Sequence, residues 1–279
     1  MSKRFIINAD DFGLAEGANE GIMECYNRGA VTDMSLLAVG EAFGHAVARA
    51  RENNIGRIGV HLALTDSFRP IMPVTEIPTL VNKDGRFSKG YCCFLAKYFS
   101  GSISMNEIYA ELKSQISKVK KAGFAITHLD SHHHIHIIPG ILKIVVKLMK
   151  EESVRYVRFP LERMSMLMKL TAPRAWARNL LLSSMCMASR RLLGDSGVNY
   201  NDYFIGHAST FKLKRTDLIF AISNLRDGIT ELGCHPGRFT ESVKREHPYY
   251  KNCEKELEIL CDTGFTEEIK KRSIELVSY

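Results

Sequence analysis

The chain has 279 residues, with 38 Lys and Arg against 31 Asp and Glu for a formal net charge of +7, and 45% of its residues are hydrophobic. This composition excludes a disordered segment, a collagen-like repeat and a small disulfide-stabilised protein, and the length suits one large α/β domain or two small ones. The seven cysteines are scattered, and neither a signal-peptide core nor an apolar run of ~20 residues is present, so the sequence predicts a cytoplasmic protein with reduced thiols.

Strands and helices alternate along the first half of the chain. Short β-rich runs predict strands at Arg4–Asp11, Val31–Val39, Arg57–Thr65 and Ala125–His132. Helices are predicted at Ala15–Arg28, Ala42–Asn53 and Met105–Ala122, the last with apolar residues at steps of three and four. The turn-rich stretch Asp66–Gly90 is predicted to be an irregular surface loop that forms a wall for a substrate.

The alternation continues to the C-terminus. Helices are predicted at Pro139–Lys150, Thr216–Arg226, Glu254–Cys261 and Thr266–Arg272, and strands at Tyr156–Pro160, Ile229–His235 and Ile274–Val277. Regular βα alternation implies a parallel sheet. We therefore predict an α/β fold: a single-domain (β/α) barrel over residues 1–279, TIM-barrel-like but distorted, with a helical insertion at about 161–205. A doubly wound open sheet is the alternative.

The excess positive charge is concentrated in the methionine-rich segment Leu161–Leu193, which is predicted to be helical. Its basic residues, against the single acid Glu162, are Arg163, Lys169, Arg174, Arg178, Arg190 and Arg191. Because no nucleic-acid-binding motif accompanies them, we expect no nucleic-acid partner. The segment is expected to be a lid near the substrate. Binding of an anionic or lipid-linked sugar, or contact with a membrane surface, is the less favoured alternative.

Polar side chains are concentrated where four of the predicted strands end. The motifs are Asn-Ala-Asp-Asp-Phe-Gly at 8–13, Gly-Val-His-Leu-Ala-Leu-Thr at 59–65, Thr-His-Leu-Asp-Ser-His-His-His-Ile-His at 127–136 and Cys-His-Pro-Gly at 234–237. Ligands of parallel α/β folds bind at the C-terminal ends of the strands, so these side chains should meet at one rim. Imidazole and carboxylate together favour a divalent metal site, suited to zinc and tolerated by magnesium, manganese or iron.

The histidine-rich fourth strand offers more donors than one ion can use. While its backbone stays extended, alternate residues share a face and His133 points away. That shared face carries His128, Asp130, His132, His134 and His136. Some of these must orient a ligand or contact the substrate. His45, His207 and His247 lie outside the motifs and are given no role.

Asp10 and Asp11 are neighbours, and in a regular strand they would face opposite sides of the sheet. Both can serve one site only if the chain bends or bulges immediately after Ala9, and Gly13 is consistent with such a turn. Arg158 ends the fifth strand and is expected either at the rim or in a surface salt bridge.

At these motifs the sequence resembles the YdjC-like carbohydrate deacetylases, which include chitooligosaccharide and hopanoid-biosynthesis deacetylases. The motifs stand in the family's order over residues 5–240. The resemblance implies a TIM-barrel-like fold and metal-dependent removal of an N-acetyl group from a sugar, lipid-linked or not. By motif match, Asp11, His61 and His132 would hold one Mg²⁺ or Zn²⁺ ion and Asp10 would be the general base. His235 falls where the family has a catalytic-site histidine.

Chemical reasoning assigns compatible roles. An amide is a poor electrophile, so a divalent cation must polarise its carbonyl and acidify a water molecule, whose proton Asp10 takes. The departing amine must be protonated, and His235 is the candidate acid. Residues that orient ligands or contact the substrate are predicted to be His128, Asp130, His134 and Arg158.

Other functions remain open because the same ligands serve many reactions. A metal-dependent hydrolase of a phosphoester or a cyclic amide is one alternative, and a non-enzymatic metal-binding module is another. The predicted partner is an N-acetylated sugar, and a homodimer is left open.

Overall fold

The computed structural model describes residues 2–162, 173–207, 210 and 212–279, and a parallel β-sheet lies at its centre. The strands found in these residues are β1 (Lys3–Phe12), β2 (Asp33–Leu36), β3 (Arg57–Leu62), β4 (Ala125–Ser131), β5 (Tyr156–Val157), β6 (Tyr203–Ile205), β7 (Gly228–Cys234) and β8 (Glu275–Leu276). From Phe5 onward every residue of β1 is buried, as expected for a strand covered on both faces.

Helices connect the strands and cover the outside of the sheet. Those in the described residues are α1 (Glu16–Asn27), α2 (Phe43–Glu52), α3 (Tyr91–Phe99), α4 (Met105–Lys121), α5 (Pro139–Glu152), α6 (Pro173–Ser196), α7 (Arg215–Ser223), α8 (Glu241–Glu246), α9 (Cys253–Leu260) and α10 (Thr263–Lys271). The predicted apolar stripe of α4, including Ile108, Leu112 and Ile116, is buried. None of the described helices combines the length and the apolar character that crossing a bilayer requires.

The sheet is curled into an incompletely closed barrel. Its strands are hydrogen-bonded in the order β5-β4-β3-β2-β1-β7-β6, all in parallel, and β8 pairs with the beginning of β1. The two edges approach each other, because an isolated parallel bridge joins Tyr156 of β5 to Asn199, shortly before β6. The Asn201 side chain also accepts a hydrogen bond from the Phe159 backbone N–H and donates one to the Phe159 carbonyl. The predicted α/β class and distorted barrel are therefore confirmed.

Several elements differ from the prediction. Strand β5 covers two residues rather than five, because Asn201 takes over the hydrogen bonds of Phe159. Helix α3 and the three-residue strand β6 were not predicted. The predicted basic helix is present as α6 over its described part. Residues 163–172, which include Arg163 and Lys169, lie outside the described residues.

The stretch Asp66–Gly90 is irregular as predicted but is not confined to the surface. It buries four large apolar side chains, those of Phe68, Ile77, Leu80 and Phe87. Two carboxylates of α4 hold its backbone: Glu111 accepts from the N–H groups of Ile71 and Met72, and Glu107 accepts from that of Thr79. These contacts fix the stretch against the barrel, where it can form part of a site.

The end of β1 contains the bend that the two adjacent aspartates require. Its register against β2 shifts between Ala9 and Phe12, and Asp11 has a φ of 64°. Gly13 follows with a φ of 102°, a conformation that glycine adopts without steric cost. The predicted bulge after Ala9 is confirmed, and it allows both carboxylates to face the same side.

Candidate metal centre

A cavity of about 900 Å³ opens at the C-terminal ends of the strands. Asp10, Asp11, His61, His132 and His235 all line it. The four strand-end motifs therefore meet at one rim, as the parallel topology requires.

Asp11, His61 and His132 form a buried group of metal-ligand type. The Asp11 Oδ1 atom lies 3.3 Å from His61 Nε2 and 3.0 Å from His132 Nδ1. Potential ligand atoms of all three residues lie within 4.8 Å of one another. Ligands that share one zinc or magnesium ion at bond lengths of about 2.0–2.2 Å are separated by about 3–3.5 Å, and the two distances from Asp11 Oδ1 match this value.

The charge around this group also fits a cation. Burial opposes a charge on His61, but Asp130 and Asp11 outweigh it and raise the pKa of His61 to about 10. Burial also opposes a charge on His132, but the carboxylates of Asp11 and Asp66 outweigh it and raise the pKa of His132 to about 9. Burial alone would raise the pKa of Asp11, yet His132 and His61 hold it well below its usual range. The site attracts positive charge, and a divalent ion would replace the protons that the imidazoles otherwise take.

Asp130 holds His61 in the orientation that a metal ligand needs. Its Oδ1 lies 2.9 Å from His61 Nδ1, which leaves His61 Nε2 directed toward Asp11. A carboxylate on the second ring nitrogen fixes the tautomer and the ring plane of a metal-binding histidine. This contact agrees with a ligand-orienting role for Asp130, and that role stays a prediction.

Arg158 is completely buried and connects the other acidic residues. Its terminal nitrogens lie 2.6 Å from the two carboxylate oxygens of Asp10, and its Nε lies 2.6 Å from Glu231 Oε1. One of the two terminal nitrogens of Arg158 also lies 2.9 Å from Asp130 Oδ2. Arg158 thus joins Asp10 to the carboxylate that orients His61, and the alternative of a surface salt bridge is wrong.

His235 lines the cavity immediately after β7. Its backbone N–H donates to Glu256 at 2.7 Å, and its Nδ1 lies 3.8 Å from the same carboxylate. The structure therefore brings His235 to the rim that Asp10 also lines, while its role as an acid stays a prediction.

The regular alternation predicted for the fourth strand stops one residue early. Strand β4 ends at Ser131, and the chain turns through His133 and His134, both with positive φ. As a result His132, His133 and His134 all line the cavity, and the expectation that His133 points away is wrong. Burial lowers the pKa of His133 to about 3 and that of His134 well below its usual value.

His128 and His136 lie in the protein interior. The His128 ring occupies the space that a side chain at Gly59 would fill, since an added Cβ would lie 2.2 Å from it. Its Nε2 lies 3.0 Å from Ser35 Oγ, which in turn donates to Asp130 at 2.9 Å. His136 lies 2.9 Å from the Arg158 carbonyl through its Nε2. His128 therefore supports Asp130 from within the barrel, and burial lowers its pKa to about 3.

One wall of the cavity is largely apolar. Helices α3 and α6 and strand β6 supply it with Tyr91, Leu181, Leu182 and Phe204. Two basic residues, Lys89 and Arg178, also line the cavity. Asp66, Lys89 and Gly90 come from the Asp66–Gly90 stretch, so this stretch and the basic helix both contribute walls, as predicted.

Sequence reasoning missed several residues at this site. Asp66 directly follows the motif at 59–65, so its position next to a strand end was the available signal. Glu231 is completely buried, and the signal that could have identified it is the position of a charged residue within the apolar strand β7. His207 lines the cavity, and the Tyr250 hydroxyl donates to Asp11 at 3.1 Å, but neither residue lies in a recognisable motif.

Known proteins that resemble this chain cover its whole length. The sequence matches the family model described as YdjC-like protein over residues 4–271. A carbohydrate deacetylase of Brevibacillus brevis is 31% identical over 278 residues, 99% of this chain and 98% of the relative. A carbohydrate deacetylase of Geobacillus stearothermophilus is 28% identical over 281 residues, 100% of this chain and 98% of the relative. A crystal structure from Enterococcus faecalis, of a protein suggested to cleave cellobiose phosphate, covers 100% of this chain and 98% of its own with a TM-score of 0.81 and 25% identity.

Proposed function

Because the chain belongs to the YdjC-like protein family, we propose that it is a metal-dependent carbohydrate deacetylase. The reaction is hydrolysis of the N-acetyl group of an amino sugar or oligosaccharide, with release of acetate. The observation that carries the proposal is the convergence of Asp11, His61 and His132 in one cavity with Asp10. The names of the relatives support a carbohydrate as the substrate and an acetyl group as the group that is removed.

One divalent ion, Mg²⁺ or Zn²⁺, is the proposed cofactor, with Asp11, His61 and His132 as its ligands. When bound, such an ion polarises the acetamide carbonyl and lowers the pKa of water. Asp130 keeps His61 in position, and the bulge at Asp11 turns that carboxylate toward the two imidazoles.

Asp10 is the proposed base that accepts a proton from water. A carboxylate has about four acceptor positions, and three of those on Asp10 are taken by Arg158, which donates twice, and by Asn8. One position is left for a water molecule in the cavity. Because the carboxylate is fixed by these bonds, its free acceptor has a defined direction, which favours proton transfer.

His235 is the proposed acid for the departing amine. An amine leaves readily only when it receives a proton, and imidazole is the side chain best suited to hold one near neutral pH. Glu256 fixes the backbone of His235 at the end of β7. Asp10 and His235 come from the neighbouring strands β1 and β7, so they can act on the same substrate.

The apolar wall supports a proposal for the rest of the substrate. Pyranose rings present C–H faces that pack on aromatic and aliphatic side chains, and Tyr91 and Leu182 offer such surfaces. The same wall suits a lipid-linked sugar, whose apolar portion would lie along α6. In this proposal residues 1–279 act as one domain, and the insertion at about 161–205 contributes to specificity.

The proposal is tested with purified protein and N-acetylglucosamine oligomers, with and without Zn²⁺, Mg²⁺ or Co²⁺. Acetate and free amine should appear in equal amounts, and a chelator should stop their release. Phosphate release from sugar phosphates without acetate would favour the phosphoester alternative. Stoichiometric metal binding with no turnover on a broad panel would favour a binding module.

A further inference from the structure

Each of the three proposed metal ligands has a polar partner on the atom that faces away from the other ligands. Asp130 contacts Nδ1 of His61, whose Nε2 faces Asp11. Asp66 contacts Nε2 of His132, at 3.0 Å, and His132 directs its Nδ1 toward Asp11. On Asp11 itself, the Tyr250 hydroxyl donates to Oδ2 at 3.1 Å and leaves Oδ1 to the two imidazoles.

The three partners come from different parts of the fold. Asp130 belongs to strand β4, within the sheet. Asp66 belongs to the irregular stretch that follows β3, and Tyr250 to the short helical turn Pro248–Tyr250. Two of the three ligands are thus held by segments outside the barrel strands.

Asp66 is itself held in place. Its backbone has a φ of 60° and that of Ser67 a φ of 58°, so the chain reverses sharply as it leaves β3. The Tyr249 side chain forms a hydrogen bond with Asp66. Because Tyr249 is adjacent to Tyr250, the Pro248–Tyr250 turn contacts both Asp66 and Asp11.

We propose that Asp66 and Tyr250 are positioning residues that orient His132 and Asp11 for metal binding. This inference rests on the metal site of the proposed function. In a metal-bound state Asp66 accepts the Nε2–H of His132 and fixes its tautomer, so that Nδ1 is the free donor. Tyr250 occupies one oxygen of Asp11 and limits that carboxylate to one ligand atom.

The test is metal binding by the metal-free protein, which needs no substrate. Zn²⁺ affinity is measured by titration against a competing chelator for wild type, Asp66→Ala, Asp66→Asn and Tyr250→Phe. Loss of a hydrogen-bonding partner of a metal ligand weakens affinity by about 10- to 100-fold, which we expect for Asp66→Ala and Tyr250→Phe. Asp66→Asn keeps an acceptor oxygen and should recover part of the loss.

Two further measurements separate positioning from general destabilisation. The visible absorption of the Co²⁺-loaded protein reports the geometry of the ligands and should change in Asp66→Ala and Tyr250→Phe. Thermal unfolding of the metal-free variants should remain a single cooperative transition, at a moderately lower temperature because each variant loses one hydrogen bond to a buried group. Asp84→Asn, an exposed site on the same stretch, and Tyr109→Phe, whose hydroxyl contacts Glu151 on α5, are the controls and should match wild type in affinity and spectrum.

The outcomes distinguish this inference from the proposed function. If wild type binds Zn²⁺ while Asp66→Ala and Tyr250→Phe bind it with unchanged affinity and spectrum, the positioning role is wrong and the metal site stands. If wild type binds no divalent ion, the proposed metal site and the positioning role are both wrong.

Discussion

Arg158 donates from both terminal nitrogens to the two carboxylate oxygens of Asp10, at 2.6 Å each, and both side chains are buried. A buried carboxylate is costly unless it is paired and hydrogen-bonded. Asp130 and Glu231 share the same guanidinium, so one positive charge stabilises three acids inside the barrel. The same ion pairs therefore stabilise the fold and hold Asp10, the proposed base, in place.

Replacing Arg158 should therefore damage both folding and function. Arg158→Met removes the positive charge that Asp10, Asp130 and Glu231 share, and removing one partner of a buried ion pair costs about 3–5 kcal/mol. We expect a lower midpoint of urea unfolding and loss of acetate release. Arg155→Met, at an exposed position three residues earlier, is the control and should match wild type. An unchanged midpoint for Arg158→Met would contradict the buried network.

Replacing Asp10 should separate turnover from metal binding. Asp10→Asn removes the proposed base but none of the three ligands, and positioned bases contribute about 10²–10⁴ in rate. Acetate release should fall by at least the lower figure, while elemental analysis should still find about one ion per chain. Full activity in Asp10→Asn would eliminate the proposed base.

The stability of the protein should decrease in mild acid, and His128 is one of the buried histidines that cause this, with His133 and His134. Burial lowers the pKa of His128 to about 3, below the ordinary value near 6.5, so the unfolded chain binds more protons between these two pH values. The stabilisation from neutral His128 is complete above about pH 6.5 and is lost as the pH falls, at about 1.4 kcal/mol per pH unit for one such group. Urea unfolding between about pH 6 and pH 4 measures this slope.

His128→Gln tests the assignment, because it keeps a polar side chain but cannot titrate. The variant is expected to be less stable overall, since it loses the stacking of His128 on Tyr279. Its free energy of unfolding should nevertheless change less steeply with pH than that of wild type. Identical slopes would show that another group is responsible.

The contribution of α6 to substrate binding can be tested at two adjacent leucines. Leu181 lines the cavity and is 41% exposed, whereas Leu180 is 52% exposed and is not one of the lining residues. Leu181→Ser should raise KM for oligosaccharides or lipid-linked sugars, with little change in thermal stability. Leu180→Ser should leave both unchanged, and equal effects of the two substitutions would contradict a substrate wall at α6.

Much of this architecture could be predicted because it depends on local patterns. The apolar stripe of Met105–Lys121 and the strand-end motifs predict a parallel α/β fold in which the strand-end side chains meet at one rim. The resemblance to the YdjC-like family then selects Asp11, His61 and His132 among them. The need for a bulge after Ala9 followed from strand geometry alone, and the φ of Asp11 provides it.

The remaining features depend on contacts between distant segments. No local pattern indicates that Asn201 ends β5 or that Tyr250 reaches Asp11, 239 residues away in sequence. The two positive φ angles at His133 and His134 interrupt a run that reads as regular strand. Arg158 resembles a surface residue in sequence, and only its three carboxylate partners explain its burial.

The most direct test of the account is metal content and Zn²⁺ affinity of wild type against His61→Ala and His132→Ala. His45→Ala, a half-buried histidine of α2 that contacts Asn19 and Glu20, is the matched control. We predict about one ion per chain in wild type and His45→Ala, and loss of the ion in the other two variants. Wild-type affinity in both His61→Ala and His132→Ala would contradict the metal centre.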